Sequence, residues 1–122
     1  MMRALVTALV VIAGALVLGF STAAQAPKKG YIVGQIEVTN PAQYAEYTKL
    51  TPALIEKFGG TFVARGGRSA SLEGDPARGR VVVIEFPSFE RAQEFFNSAE
   101  YSEAKKKRAG AANVQFVLVE GM

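Results

Sequence analysis

The stretch Arg80-Val81-Val82-Val83-Ile84-Glu85-Phe86-Pro87-Ser88 decides how the chain is read. It is rich in β-branched residues and stops at Pro87, which cannot donate to a sheet ladder, so a strand over 80–86 is predicted. Alternation puts Val82, Ile84 and Phe86 on one face and Val81, Val83 and Glu85 on the other. Both faces are largely apolar. An antiparallel strand with one wet face alternates apolar with polar, so a run apolar on both sides needs cover on both. The chain's own helices can cover one side. The other needs a second subunit or a ligand.

Before this strand, Tyr31 to Thr39 reads as a strand with Ile32, Gly34, Ile36 and Val38 on one face and Tyr31, Val33, Gln35 and Glu37 on the other. Asn40-Pro41-Ala42-Gln43 starts a helix: Asn40 caps, Pro41 takes the first helical position and Gln43 completes a capping box. Tyr44, Tyr47, Leu54, Ile55 and Phe58 follow at helical spacing, with a kink expected at Pro52 and an end at Gly59-Gly60. Thr61 to Arg65 is a second strand, with Phe62 and Ala64 on one side and Thr61, Val63 and Arg65 on the other. A bulge is expected at Gly66-Gly67, and Ser69 to Glu73 could resume the strand before the Gly74-Asp75-Pro76 turn. After the central strand, Ser88 caps a second helix carrying Phe89, Ala92, Phe95, Phe96 and Ala99. Asn97-Ser98 loosens it, and a further helical stretch runs to Arg108. Val114 to Val119 closes the chain as a fourth strand.

The order β-α-β-β-α-β predicts an α+β ferredoxin-like fold: a four-stranded antiparallel sheet with two helices on one face. In that topology the third strand is internal, which suits the most apolar strand in the chain. No internal repeat appears in residues 27–122.

Residues 1–26 are read as a signal peptide and its cleavage region, with 27–122 as a single domain. Arg3 is a short basic start, Ala4 to Phe20 an uncharged apolar run, and Ser21 to Ala26 a small-residue stretch at cleavage spacing. Thr22-Ala23-Ala24, with cleavage before Gln25, is the preferred site; Ala24-Gln25-Ala26 also fits the A-x-A form but leaves Pro27 after the cut, which a signal peptidase disfavours. The alternative is an uncleaved anchor, since the apolar run sits at the lower edge of spanning length. Export implies a periplasmic or secreted protein, and membrane contact only through an uncleaved leader. The chain has no cysteine, which rules out a lipid-anchored lipoprotein and disulfides alike.

The formal charge is +3, and Arg3 is the only charged residue of the leader, so +2 remains after cleavage. So small an excess gives no argument for nucleic acid. With no His, Cys or Trp, serine–histidine and cysteine–histidine catalysis, His- or Cys-ligated zinc and His-ligated haem are excluded. No metal and no cofactor is expected. What remains is the chemistry of carboxylate, Arg, Lys, Tyr and hydroxyl groups.

Gly30-Tyr31, Tyr44 with Tyr47, Pro52, Gly59 through Gly67, Leu72-Glu73-Gly74, Arg80 through Ser88, Phe96 through Tyr101, and Arg108 occur in order from Gly30 to Glu120. On these residues the chain resembles the bacterial domain-of-unknown-function family 1330. The resemblance implies a fold of the dimeric α+β barrel kind, with two sheets facing each other, and no established activity. The leader is a departure, because similar proteins look cytoplasmic.

Six residues stand out as a candidate ligand pocket: Tyr31, Gln35, Arg65, Glu85, Ser98 and Tyr101. By strand parity Arg65 and Glu85 fall on the open sheet face of neighbouring strands. There they could orient a polar ligand or act as acid or base, or else form an interface ion pair that sets register. Antiparallel pairing brings Tyr31 towards the Glu85 end, either to donate to a substrate or simply to line a cavity. Ser98 with Tyr101 sits at the break in the last helix, where Ser98 also suits a plain N-cap. Lys105-Lys106-Lys107-Arg108 could suggest an anionic partner, but Glu103 lies three and four residues before Lys106 and Lys107, as on a solvated, ion-paired helix face. Two functions follow. One is an exported homodimer holding a small polar molecule between its sheets, with cofactor-free catalysis open to it. The other is a non-catalytic dimer with a filled barrel.

Overall fold

The computed structural model describes residues 27–122; the leader and its cleavage sites lie outside the described residues. The elements are β1 (Gly30–Val38), α1 (Pro41–Thr48), α2 (Thr51–Lys57), β2 (Thr61–Arg65), β3 (Arg80–Phe86), α3 (Phe89–Phe96), α4 (Ala99–Lys106) and β4 (Ala112–Glu120). The four strands form one antiparallel sheet in the order β2-β3-β1-β4, so β3 is internal, as its composition requires. Among the described residues, no helix is long and apolar enough to cross a membrane.

Each predicted helix is two shorter ones. Pro52 has no N–H to give to the Thr48 carbonyl, and the chain breaks between α1 and α2. Asn40 caps α1 by accepting from the Gln43 N–H at 3.2 Å. The Gln43 amide does not complete the box on the Asn40 backbone. It donates instead to the carbonyls of Lys107 and Ala109, at 3.1 and 2.8 Å, and ties the start of α1 to the end of α4. Ser88 and Ser98 cap α3 and α4 through the N–H groups of Arg91 and Tyr101. Gly59, at φ +82°, takes the left-handed turn that ends α2.

The helices cover one sheet face. Ile32, Ile36, Val82, Ile84 and Phe86 point to that side and pack with Tyr44, Tyr47, Ile55, Phe95 and Tyr101 into a single core. Phe86 is fully buried, and its ring lies 5.2 Å from that of Phe95. Phe95 in turn contacts Tyr101 at 4.6 Å between ring centroids. Each fully buried large apolar side chain of this kind contributes about 1.5–3 kcal/mol. On the opposite face, Val33, Val81 and Val83 are half-buried, and Val63, Val117 and Val119 are 60%, 53% and 49% exposed.

The bulge is not where the glycines suggested. The register runs Thr61↔Glu85, Phe62↔Ile84, then Ala64↔Val83 and Arg65↔Val82, which leaves Val63 as the extra residue. The parity of β2 therefore flips after Phe62: Ala64 turns to the open face and Arg65 to the helix side, the reverse of the prediction. Gly66, at φ +69°, then takes the chain out of the strand, and its N–H makes a last bond to the Val81 carbonyl at 3.0 Å. Residues 69–73 form no strand and are exposed.

Candidate functional site

The six residues singled out from the sequence fall into two groups on opposite faces of the sheet. Tyr31, Gln35 and Glu85 are on the open face. Tyr31 and Glu85 are register partners, and the Tyr31 hydroxyl donates to a Glu85 carboxylate oxygen at 3.1 Å. That bond, with smaller contributions from burial and from the carboxylate charge, raises the Tyr31 hydroxyl above its ordinary range. Lys29 Nζ approaches the other Glu85 oxygen at 3.8 Å. Gln35 lies between Val81 on β3 and Gln115 on β4, and is exposed. Arg65 is absent from this group because of the flip at Val63. Its guanidinium lies 4.3 Å from the centroid of the Phe62 ring, on the helix side.

Ser98 and Tyr101 belong to the helix layer. The Ser98 hydroxyl accepts from the Tyr101 N–H at 3.1 Å and donates to the Phe95 carbonyl at 2.8 Å. Both of its roles are local, and it acts as the plain N-cap of α4. Tyr101 is different. It is 2% exposed, and its hydroxyl meets that of Tyr47 at 2.6 Å in the core.

This hydroxyl pair is the centre of the more concentrated site. Tyr47 and Tyr44 lie one helical turn apart on the inner side of α1, with ring centroids at 5.3 Å. Tyr47 meets Tyr101 edge-on at 6.2 Å. The Arg108 guanidinium lies 5.0 Å from the Tyr47 ring and 5.7 Å from the Phe116 ring, and Arg80 lies 5.7 Å from the Tyr44 ring. Arg108 is 9% exposed, and its Nε has no hydrogen-bond partner. Burial works against its charge, but the hydroxyls of Tyr101 and Tyr47 outweigh it and raise Arg108 further. Burial, then the neighbouring Tyr101 hydroxyl, pushes the Tyr47 hydroxyl far above its ordinary range, against the pull of Arg108. Tyr44 is also raised by burial, with Arg80 opposing.

A cleft of about 40 Å³ opens among these groups, lined by Tyr44, Tyr47, Thr51, Arg65, Arg80 and Tyr101 together with core side chains. That is room for about three waters. A second, mostly apolar cavity of about 250 Å³ lies between α3 and β4 and shares Ile32, Phe96 and Phe116 with the first. The arrangement can donate hydrogen bonds from phenols and hold negative charge on guanidinium groups. Among the described residues, no group of three or more His, Cys, Asp or Glu side chains could hold a metal ion.

Tyr44, Tyr47, Arg80 and Arg108 were not singled out as site residues in the sequence. A signal was available for the tyrosines: three at core positions of helices bring hydroxyls into an apolar layer, where each needs a partner. Arg108 was read as part of the solvated run from Lys105. Lys106 fits that reading and pairs with Glu103 at 3.0 Å, but Arg108 lies beyond the end of α4 and turns inward.

The fold recurs in solved structures. A protein of unknown function from Rhodopseudomonas palustris aligns with a TM-score of 0.63 at 20% identity, over 78% of this chain and 83% of that one. A protein of unknown function from Bacteroides fragilis, described as dimeric and ferredoxin-like, aligns at 0.51 and 12%, over 75% and 95%. SnoaB, a cofactor-independent oxygenase from Streptomyces nogalater, aligns at 0.50 and 10%, over 78% and 94%. No curated protein matches the chain. At such identities the likeness is one of fold. Residues 29–122 match the family model described as a domain of unknown function, DUF1330, and the chain belongs to that family.

Proposed function

We propose that this protein is an exported homodimer, joined sheet face to sheet face, that binds a small polar molecule in the helix-side cleft of each protomer. The observation that carries the ligand reading is the buried Tyr47–Tyr101 hydroxyl pair beside Arg108, opening into a cleft flanked by Arg65 and Arg80. Hydroxyls and guanidinium groups converging on one cavity are what a polar ligand needs. The ligand moves from between the sheets to beneath them. On the open face Arg65 is missing, and Tyr31, Glu85 and Lys29 already satisfy one another.

Dimerisation is supported by the six valines of the open face, three of them about half exposed or more. Each apolar side chain fully buried in an interface contributes about 1.5–3 kcal/mol, enough in sum to exceed the entropic cost of association. A flat face of this kind is self-complementary about a two-fold axis. The Bacteroides fragilis neighbour is described as dimeric, in keeping with this arrangement. Export rests on the leader sequence alone. If the cleft is catalytic, its groups supply proton donation and anion stabilisation with no cofactor; the Streptomyces nogalater neighbour is described as a cofactor-independent oxygenase. A second reading, a non-catalytic dimer, is favoured by the small volume of the inner cleft.

Light scattering on the purified protein should give twice the chain mass, and Val83→Asp should halve it. A wild-type monomer at micromolar concentration overturns the dimer. Mass spectrometry of the exported fraction should find a chain that starts near Gln25; full-length chain confined to membranes overturns export.

A further inference from the structure

We infer that the ligand of the cleft is a small carboxylate with an apolar body, an inference that rests on the cleft being a binding site. Arg65 on β2 and Arg80 at the start of β3 bring two cationic groups to the cleft, and Arg108 after α4 lies behind its Tyr47 and Phe116 walls. No carboxylate lines the cleft, and none of the three arginines forms an ion pair among the described residues. Arg65 and Arg80 are the informative pair: both line the cleft, and neither meets a carboxylate there. Arg108 is more than nine-tenths buried behind Tyr47 and Phe116 and adds its charge from outside the cleft. A carboxylate would neutralise the two lining guanidinium groups, which match its planar geometry.

The size of the two cavities separates head from body. The inner cleft takes a group of about three water volumes, which suits a carboxylate and little more. The outer cavity is about six times larger and is lined by Ile32, Ala92, Phe96, Phe116 and Leu118, with Gln93 and Asn97 also on its wall. Phe96 and Phe116, edge-on at 6.1 Å, are common to both spaces. Arg108 stands beside Phe116, where a head group and an aliphatic tail would meet. An anion with a short aliphatic chain uses both spaces. A neutral solute can accept hydrogen bonds from the arginines but lacks the ionic attraction of a carboxylate.

Hexanoate and its neutral isostere hexanamide make the test, read through tyrosine absorbance. The chain has no tryptophan and four tyrosines, and three of the four lie around the cleft. Tyr31→Phe removes the remaining one, on the open face. In that background hexanoate should perturb the tyrosine difference spectrum and bind about tenfold or more tighter than hexanamide. Arg80→Gln, at an exposed position, should remove much of that preference, and Arg65→Gln most of the remainder. Equal binding of the two probes overturns the carboxylate and leaves the cleft as a binding site. A response to none of hexanoate, hexanamide and inorganic phosphate overturns both. Inorganic phosphate binding where hexanoate does not overturns the apolar body. An unchanged preference in the Arg80→Gln, Arg65→Gln double variant overturns the inference.

Discussion

The two faces of the sheet are built from the same four strands and nearly the same residue types, yet they are in different chemical states. On the helix side, Ile32, Ile36, Val82, Ile84 and Phe86 meet aromatic rings from all four helices or their flanks, and the Tyr47 and Tyr101 hydroxyls partner each other. On the open side, Val33, Val81 and Val83 are half-covered, Val63, Val117 and Val119 stand in water, and the polar residues pair loosely at the rim. Alternation assigns side chains to faces but does not say what will cover them. The helices leave polar groups inside the molecule and apolar groups outside it. The first arrangement suits a small ligand and the second a large partner.

The comparison breaks most visibly at Phe86. With no exposure and an aromatic neighbour at 5.2 Å, Phe86→Ala should cost about 3–5 kcal/mol in urea unfolding. A loss under 1 kcal/mol would mean that the helix side is no better packed than the open side.

Gly34 sharpens it next. A β-carbon there would strike the Phe116 ring, which is seated directly on the strand. Gly34→Ala should cost about 1–3 kcal/mol through overpacking, and it should shift the Phe116 ring resonances. Unmoved resonances would mean that Phe116 does not rest on the strand.

Tyr47→Phe tests the buried polar pair. Removing one hydroxyl should cost about 1 kcal/mol at neutral pH. The alkaline limb carries the sign. Burial raises the Tyr47 hydroxyl from its ordinary 10.0, so the folded chain keeps this proton after the unfolded chain has released it. Stability from this group is therefore full below pH 10 and declines as pH rises above it. Tyr47→Phe should make that decline shallower, as followed by unfolding at stepped pH.

Glu85→Gln should have the smallest effect. Its partners Lys29 and Tyr31 lie at the solvent rim, so thermal unfolding should show no resolvable change and no added salt dependence. A large loss would mean that the open face is as closely coupled as the core.

The element order, the internal place of β3, the Ser88, Ser98 and Asn40 caps and the break at Pro52 were all legible in the sequence, because each depends on local chemistry or on the period of apolar residues. Three things required the tertiary structure. One extra residue at Val63 reverses every side chain after it, and sequence alternation cannot register such an insertion: the glycines three residues later were the visible irregularity, while the bulge follows from pairing with β3. Arg108 continues a run of lysines in the chain, but it lies beyond the last turn of α4, where direction depends on packing against Tyr47 and Phe116. The Tyr47–Tyr101 bond joins residues 54 apart that no local pattern relates. Strand faces and helix caps follow from short-range geometry, whereas a site assembled from β2, β3, α1 and α4 exists only once the sheet has fixed where those elements meet.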